Sequence, residues 1–234
     1  MSEIAENIKI VRAKVAEAAI KSGRNPSDIT LVAATKMNDA DRVMEAVRAG
    51  IDAAGENRVQ ELLQKFEEGA YNGVPLHFIG ALQTNKVKYI VGKVSLIQSV
   101  DSIKLAREIG KAALKCGITQ DILVEINIGG EESKSGIAPN EIDEFMETLS
   151  QIDGIKTRGL MTIPPILGNT HANAPFFQKM RQLFVDIGTK KYDNISMDFL
   201  SMGMSDDYCE AVLCGANMVR VGTGIFGRRS YAAI

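Results

Sequence analysis

Residues 31–48 read LVAATKMNDADRVMEAVR, a short apolar run that gives way at Lys36 to a segment of helical period. The run LVAAT suits a strand buried on both faces. Asp39 or Asp41 stands where a helix cap belongs, just ahead of RVMEAVR. A strand followed at once by a helix is the repeating unit of a parallel sheet. Seven more apolar runs follow, at intervals too long for hairpins and suited to crossover helices. They are IDAAG (51–55), LHFIG (76–80), SLIQSV (95–100), DILVEIN (121–127), IKTRGLM (155–161), MDFLSM (197–202) and NMVRVG (217–222). Eight strands after one leading helix fit the α/β class as a closed (β/α)8 TIM barrel with an extra N-terminal helix. Strand count does not prove closure, so a doubly wound open sheet is the alternative. No Pro/Gly/Ser linker interrupts the chain, and residues 1–234 read as a single domain.

Composition narrows the function classes. Apolar residues make up 45% of the 234, charged residues 24%, and the net charge is −2, so there is a real core and no basic footprint for nucleic acid or an anionic membrane. The opening MSEIAENIKIVRAKVAEAAI mixes charged and apolar residues on a helical period, unlike a signal peptide or a membrane span. Cys116, Cys209 and Cys214 form no CxxC pair and only two histidines are present, which argues against zinc and for reduced thiols in a cytoplasmic protein.

The strand ends share a chemistry. Each run finishes in polar or glycine residues: Lys36, Gly55-Glu56-Asn57, Gly80 with Gln83, Asp101, Asn127, Thr162, Ser201, and Arg220 with Gly222. In a parallel barrel these ends lie on one face, the face that binds ligands. Lysine is rare at the tip of a buried strand because its ammonium loses hydration there. An apolar mouth favours the neutral amine, the form that makes a Schiff base with an aldehyde. A lysine that snorkels back to water is the bland alternative. Ser205, in SMGMSDDYCEAV, stands where an N-cap belongs, with free N–H groups for an anion. VGTGIFG (221–227) places Thr223 between two glycines, and barrels commonly bind phosphate between the last two strand loops. A plain helix cap and a tight closing turn would account for the same residues. Arg220 lies inside the last strand and needs a partner. That partner is either a barrel glutamate, Glu125 or Glu56, or the ring nitrogen of a cofactor, a contact arginine makes in some pyridoxal phosphate sites.

With these residues in view, the chain resembles the pyridoxal phosphate homeostasis proteins, whose fold is similar to the barrel domain of alanine racemase. The resemblance runs almost end to end. Its motifs are ATK (34–36), GENRVQEL (55–62), HFIGALQTNK (77–86), GLMTIPP (159–165), LSMGMSDD (200–207) and MVRVGTGIFGRR (218–229). It implies pyridoxal 5'-phosphate as cofactor, held as a Schiff base on Lys36, with Arg220 facing the pyridine nitrogen. Ser205, Gly222 and Thr223 would hold the phosphate, with Asn57 and His77 lining the pocket. Lys134 matches a lysine of the family's strand-5 loop and is a candidate second contact. The chain departs from the usual pattern at Met37-Asn38, Arg58 and Leu76, all flanking positions.

The resemblance further implies a non-catalytic, monomeric carrier in vitamin B6 homeostasis, with cofactor-free pyridoxal enzymes as recipients. An amino-acid racemase of the alanine type is the second reading. It needs acid/base groups on both sides of the substrate α-carbon, and Lys36 supplies one. Tyr71, Tyr89, Tyr192 and Tyr231 lie in helical, linking or tail segments, and Tyr208 is expected to face outward. A lysine-dependent sugar-phosphate aldolase on the same barrel is the third.

Overall fold

The computed structural model describes residues 2–131, 134–165 and 173–227, and the final Arg228-Arg229 and Tyr231 lie outside them. All eight expected strands form: β1 (Thr30–Ala34), β2 (Ala53–Glu56), β3 (Leu76–Phe78), β4 (Leu96–Val100), β5 (Gln120–Glu125), β6 (Ile155–Met161), β7 (Ile195–Ser201) and β8 (Met218–Val221). Every neighbouring pair is parallel, and β8 pairs back onto β1, with Val32 opposite Arg220. The sheet is therefore closed in the order β1 to β8, and the open-sheet alternative falls.

The helices are α1 (Glu3–Lys21), α2 (Ala40–Arg48), α3 (Val59–Glu67), α4 (Val87–Ile90), α5 (Ile103–Lys115), α6 (Ile142–Leu149), α7 (Ala174–Gly188), α8 (Tyr208–Leu213) and α9 (Thr223–Phe226). Asp39, not Asp41, caps α2, its side chain accepting from the Arg42 N–H. The extra helix α1 buries Ile4, Ile8, Val11, Val15 and Ala18, a stripe at helical spacing, against α8, α9 and α2.

Alternation along the strands divides the core in two. Leu31 and Ala33 point outward into the large apolar layer under the helices. Val32 points inward, joining Ala53, Leu96, Leu123, Met161 and Met218 in a compact plug inside the barrel. Arg158 ties three strands together, bonding Asp121 on β5 at 2.6 Å and Asp198 on β7 at 2.5 Å. Close packing of β6 on β7 needs Gly159: at φ +146° a Cβ would sit 1.9 Å from the Phe199 carbonyl oxygen. Toward the C-terminal strand ends the interior turns polar, with His77, Gln98, Glu125, Ser201 and Arg220 all buried. The candidate site is built on that layer.

Candidate cofactor-binding site

Lys36 occupies the turn after β1 and its side chain is exposed on the rim, so the apolar enclosure expected at the mouth does not surround it. What fixes it is the residue before. Thr35 is fully buried; its N–H donates to the Gly55 carbonyl at 2.9 Å and its hydroxyl to Glu56 Oε1 at 2.7 Å. Lys65 Nζ, from α3, donates to the same Glu56 oxygen at 2.7 Å and to the Thr35 carbonyl at 2.9 Å. Tyr71 adds its hydroxyl at 3.1 Å. Burial raises the Glu56 carboxyl above the ordinary carboxylate range, opposed by Lys65 and Thr35. On the other side of Lys36, Met37 adopts φ 60°, rare for a non-glycine residue, and its N–H donates to Glu61 at 2.8 Å. The turn is clamped before and after the lysine.

Ser205 is not a helix cap. Asp207 occupies that position on α8, and its carboxylate reaches back to the Met204 N–H at 2.6 Å and out to the Asn173 amide at 2.8 Å. The Ser205 hydroxyl instead accepts from two backbone N–H groups of the glycine turn, Gly222 at 3.2 Å and Gly224 at 3.1 Å. The N–H groups expected at α8 come from the turn after β8. Two donors converging on one oxygen make an arrangement that an anionic oxygen fits as well as a hydroxyl. Thr223 stands exposed between them.

Arg220 is buried on β8, two residues before that turn. Its guanidinium donates to Ser201 Oγ at 2.6 Å and to the Thr162 carbonyl at 2.8 Å, so neither barrel glutamate is its hydrogen-bond partner. Glu56 is committed to Lys65. Glu125 acts on Arg220 through space: burial lowers the guanidinium to about 10, with Glu125 and Asp207 opposing. The Glu125 carboxyl is pushed up to about 7 by burial and then Asp101, against the pull of Arg220.

His77 on β3 is buried, its Nδ1 3.0 Å from the Gln98 side-chain nitrogen, and burial depresses it to about 4. It is neutral at physiological pH. Asn57, half-buried after β2, keeps its side-chain oxygen buried with no partner among the described residues. Its backbone lies so close to the next strand end that a Cβ on Gly80 would fall 2.3 Å from the Asn57 carbonyl oxygen. Lys134 bridges two loops, 2.5 Å from Glu131 and 3.0 Å from the Pro164 carbonyl.

One tyrosine differs from expectation: Tyr208 packs in the core instead of facing out. Tyr71 lies in the linking segment after α3, as expected, and is bound to Glu56. Lys65 and Gln98 were missed by the sequence reading. Their signals were present: Val59, Leu62 and Lys65 recur every three residues on the buried side of α3, and Gln98 is a large amide inside an apolar strand. Among the described residues no cluster of three metal-ligating side chains occurs, and no helix is long and apolar enough to cross a membrane.

The comparisons agree with this geometry. The family model for the alanine racemase N-terminal domain matches residues 1–230. A pyridoxal phosphate homeostasis protein of Aquifex aeolicus is 42% identical, covering 97% of this chain and 98% of that one. One from Pseudomonas aeruginosa is 39% identical over 100% and 99% of the two chains. The structure of PipY from Synechococcus elongatus, solved with pyridoxal phosphate bound, is 30% identical. It superposes with a TM-score of 0.83 over 96% of this chain and all of that one. The clamped rim lysine, the converging glycine turn and these full-length matches lead to one assignment: the chain belongs to the pyridoxal phosphate homeostasis proteins, in the alanine racemase N-terminal-domain family.

Proposed function

We propose that this chain binds pyridoxal 5'-phosphate at the C-terminal mouth of the barrel and acts as a carrier for it, without turnover of a substrate. The observation that carries the reading is the convergence of the Gly222 and Gly224 N–H groups on Ser205, on the barrel end where Lys36 follows its strand and Arg220 lies buried. When bound, the cofactor supplies an aldehyde that condenses with a primary amine. Lys36 presents that amine from a turn held on both sides. Ser205, Gly222 and Thr223 bind the phosphate. Arg220 donates a hydrogen bond to the ring nitrogen and surrenders no proton, since its guanidinium remains charged at neutral pH. Asn57 offers its unpartnered oxygen to the pocket, and His77 lines it as a neutral ring. Lys134 spans two loops at the mouth and is a secondary contact.

The carrier reading is favoured over a racemase by what the tyrosines do. A second acid/base group opposite Lys36 would have to be free, yet Tyr71 is engaged by a buried carboxylate and Tyr208 by the core. The cofactor in the PipY relative speaks against the aldolase. We further propose that the protein works as a monomeric single domain in the cytoplasm and passes its cofactor to cofactor-free pyridoxal enzymes. Protein loaded with pyridoxal phosphate should be yellow, lose its visible band in Lys36→Ala, and transfer the band to an added cofactor-free enzyme. Enzyme-like exchange of an amino-acid α-hydrogen with deuterated water would overturn the carrier reading.

A further inference from the structure

Four buried side chains form a directed chain through the barrel interior. Arg220 on β8 donates to Ser201 Oγ on β7 at 2.6 Å. Ser201 Oγ lies 2.7 Å from Gln98 Oε1 on β4, and Gln98 Nε2 lies 3.0 Å from His77 Nδ1 on β3. Strands β7 and β4 are not neighbours in the sheet, so the Ser201–Gln98 bond spans the lumen. Each link has one possible polarity. Arginine has five donors and no acceptor, so Ser201 must accept from it and give its own proton elsewhere. Among the described residues, the atom that takes that proton is Gln98 Oε1, which fixes the amide with its nitrogen toward His77 and toward Met218 Sδ at 3.2 Å. An amide nitrogen only donates, so His77 Nδ1 must accept. Turning the amide over would leave the Ser201 hydroxyl proton without that acceptor at a fully buried position.

We infer that Ser201 and Gln98 are positioning residues: they carry the donor character of Arg220 across the barrel, hold His77 as the tautomer protonated on Nε2, and hold the guanidinium in one orientation. The consequence for ligand retention rests on the cofactor reading above; the tautomer does not. The pocket is thus preorganised by a permanent charge at one end of the chain, and the donor pattern on β3 follows from a residue on β8.

The experiment is a long-range proton–nitrogen NMR spectrum of cofactor-free protein labelled at histidine. The sequence has two histidines, His77 and His171, so a His171→Asn spectrum completes the assignment. Wild type should show a bare Nδ1 and a protonated Nε2 at His77. In Gln98→Glu the carboxylate accepts on both sides, so the proton should move to Nδ1. Ser201→Ala removes the link that orients the amide, and the His77 signature should cease to be that of one tautomer. A wild-type His77 protonated on Nδ1 overturns the inference. So does a Ser201→Ala spectrum identical to wild type, which decides the matter even where Gln98→Glu does not fold. Cofactor retention should fall about tenfold in Ser201→Ala, the scale of one bond to a charged group. Wild type that binds no cofactor would count against the site reading alone, because the tautomer test uses none.

Discussion

Lys65→Met tests the clamp behind Lys36. The substitution keeps the aliphatic bulk and leaves Glu56, whose side chain is fully buried, with only the Thr35 and Tyr71 hydroxyls. An unpaired carboxylate there will take up a proton instead of remaining charged. At pH 7 the unfolded chain keeps that glutamate ionised, with a free value near about 4.3. Folding the variant therefore requires protonation against about 2.7 pH units, an upper limit of about 3.7 kcal/mol relative to wild type, whose own Glu56 already lies above the ordinary range. That falls within the range of about 3–5 kcal/mol for breaking a buried pair from one side. The sign is fixed: the folded variant binds one more proton than its unfolded chain, so its deficit against wild type shrinks as pH falls. The deficit drops by up to about 1.4 kcal/mol per pH unit, to about 1 kcal/mol or less at pH 5. Urea unfolding of both proteins at pH 5, 6 and 7 measures this directly. Glu56→Gln combined with Lys65→Met should recover most of the loss at pH 7. A deficit under about 1 kcal/mol at pH 7, or one independent of pH, would refute the reasoning.

Three further outcomes follow from the site. Gly80→Ala should destabilise by about 3 kcal/mol or more in urea, because the Asn57 backbone 2.3 Å from the new Cβ cannot yield as a side chain could; a neutral effect would contradict the close approach. Glu125, held at about 7, stays protonated in the folded barrel when the unfolded chain has already ionised. Wild type should therefore lose stability from pH 5 to 7 at up to about 1.4 kcal/mol per unit, a component absent from Glu125→Gln; equal slopes would disprove it. Arg220→Ala and Ser205→Ala should each weaken cofactor retention by about tenfold or more without preventing attachment at Lys36, as loss of a bond worth about 1.5–3 kcal/mol would do. Dialysis followed by absorbance reads both, and retention equal to wild type in both variants would misplace ring and phosphate.

Much of the barrel was legible because its strands are bounded by composition. Apolar runs such as LVAAT and IKTRGLM stand out against helix-period segments, and the observed β6, Ile155–Met161, coincides with its run. Closure was not legible, since it depends on the β8–β1 pairing between residues nearly two hundred positions apart. The expected Lys36, Arg220 and glycine turn do lie at one barrel end, but the use of Ser205 was misread. SMGMSDD places two acidic residues after the serine, and the cap went to Asp207 while the serine turned toward Gly222 and Gly224. Burial was harder still. Tyr208 faces inward because α1 packs over α8, a tertiary contact that no local pattern reports. The Arg220–Ser201–Gln98–His77 chain joins four strands through side chains far apart in the sequence. Only coordinates bring them within hydrogen-bond reach.

The central claim is covalent attachment at one amine. Protein incubated with pyridoxal phosphate, reduced with borohydride, digested and analysed by mass spectrometry should carry the pyridoxyl mass on the peptide containing Lys36, and Lys36→Ala should carry none. The same mass found on another lysine, with Lys36 unmodified, would contradict the account.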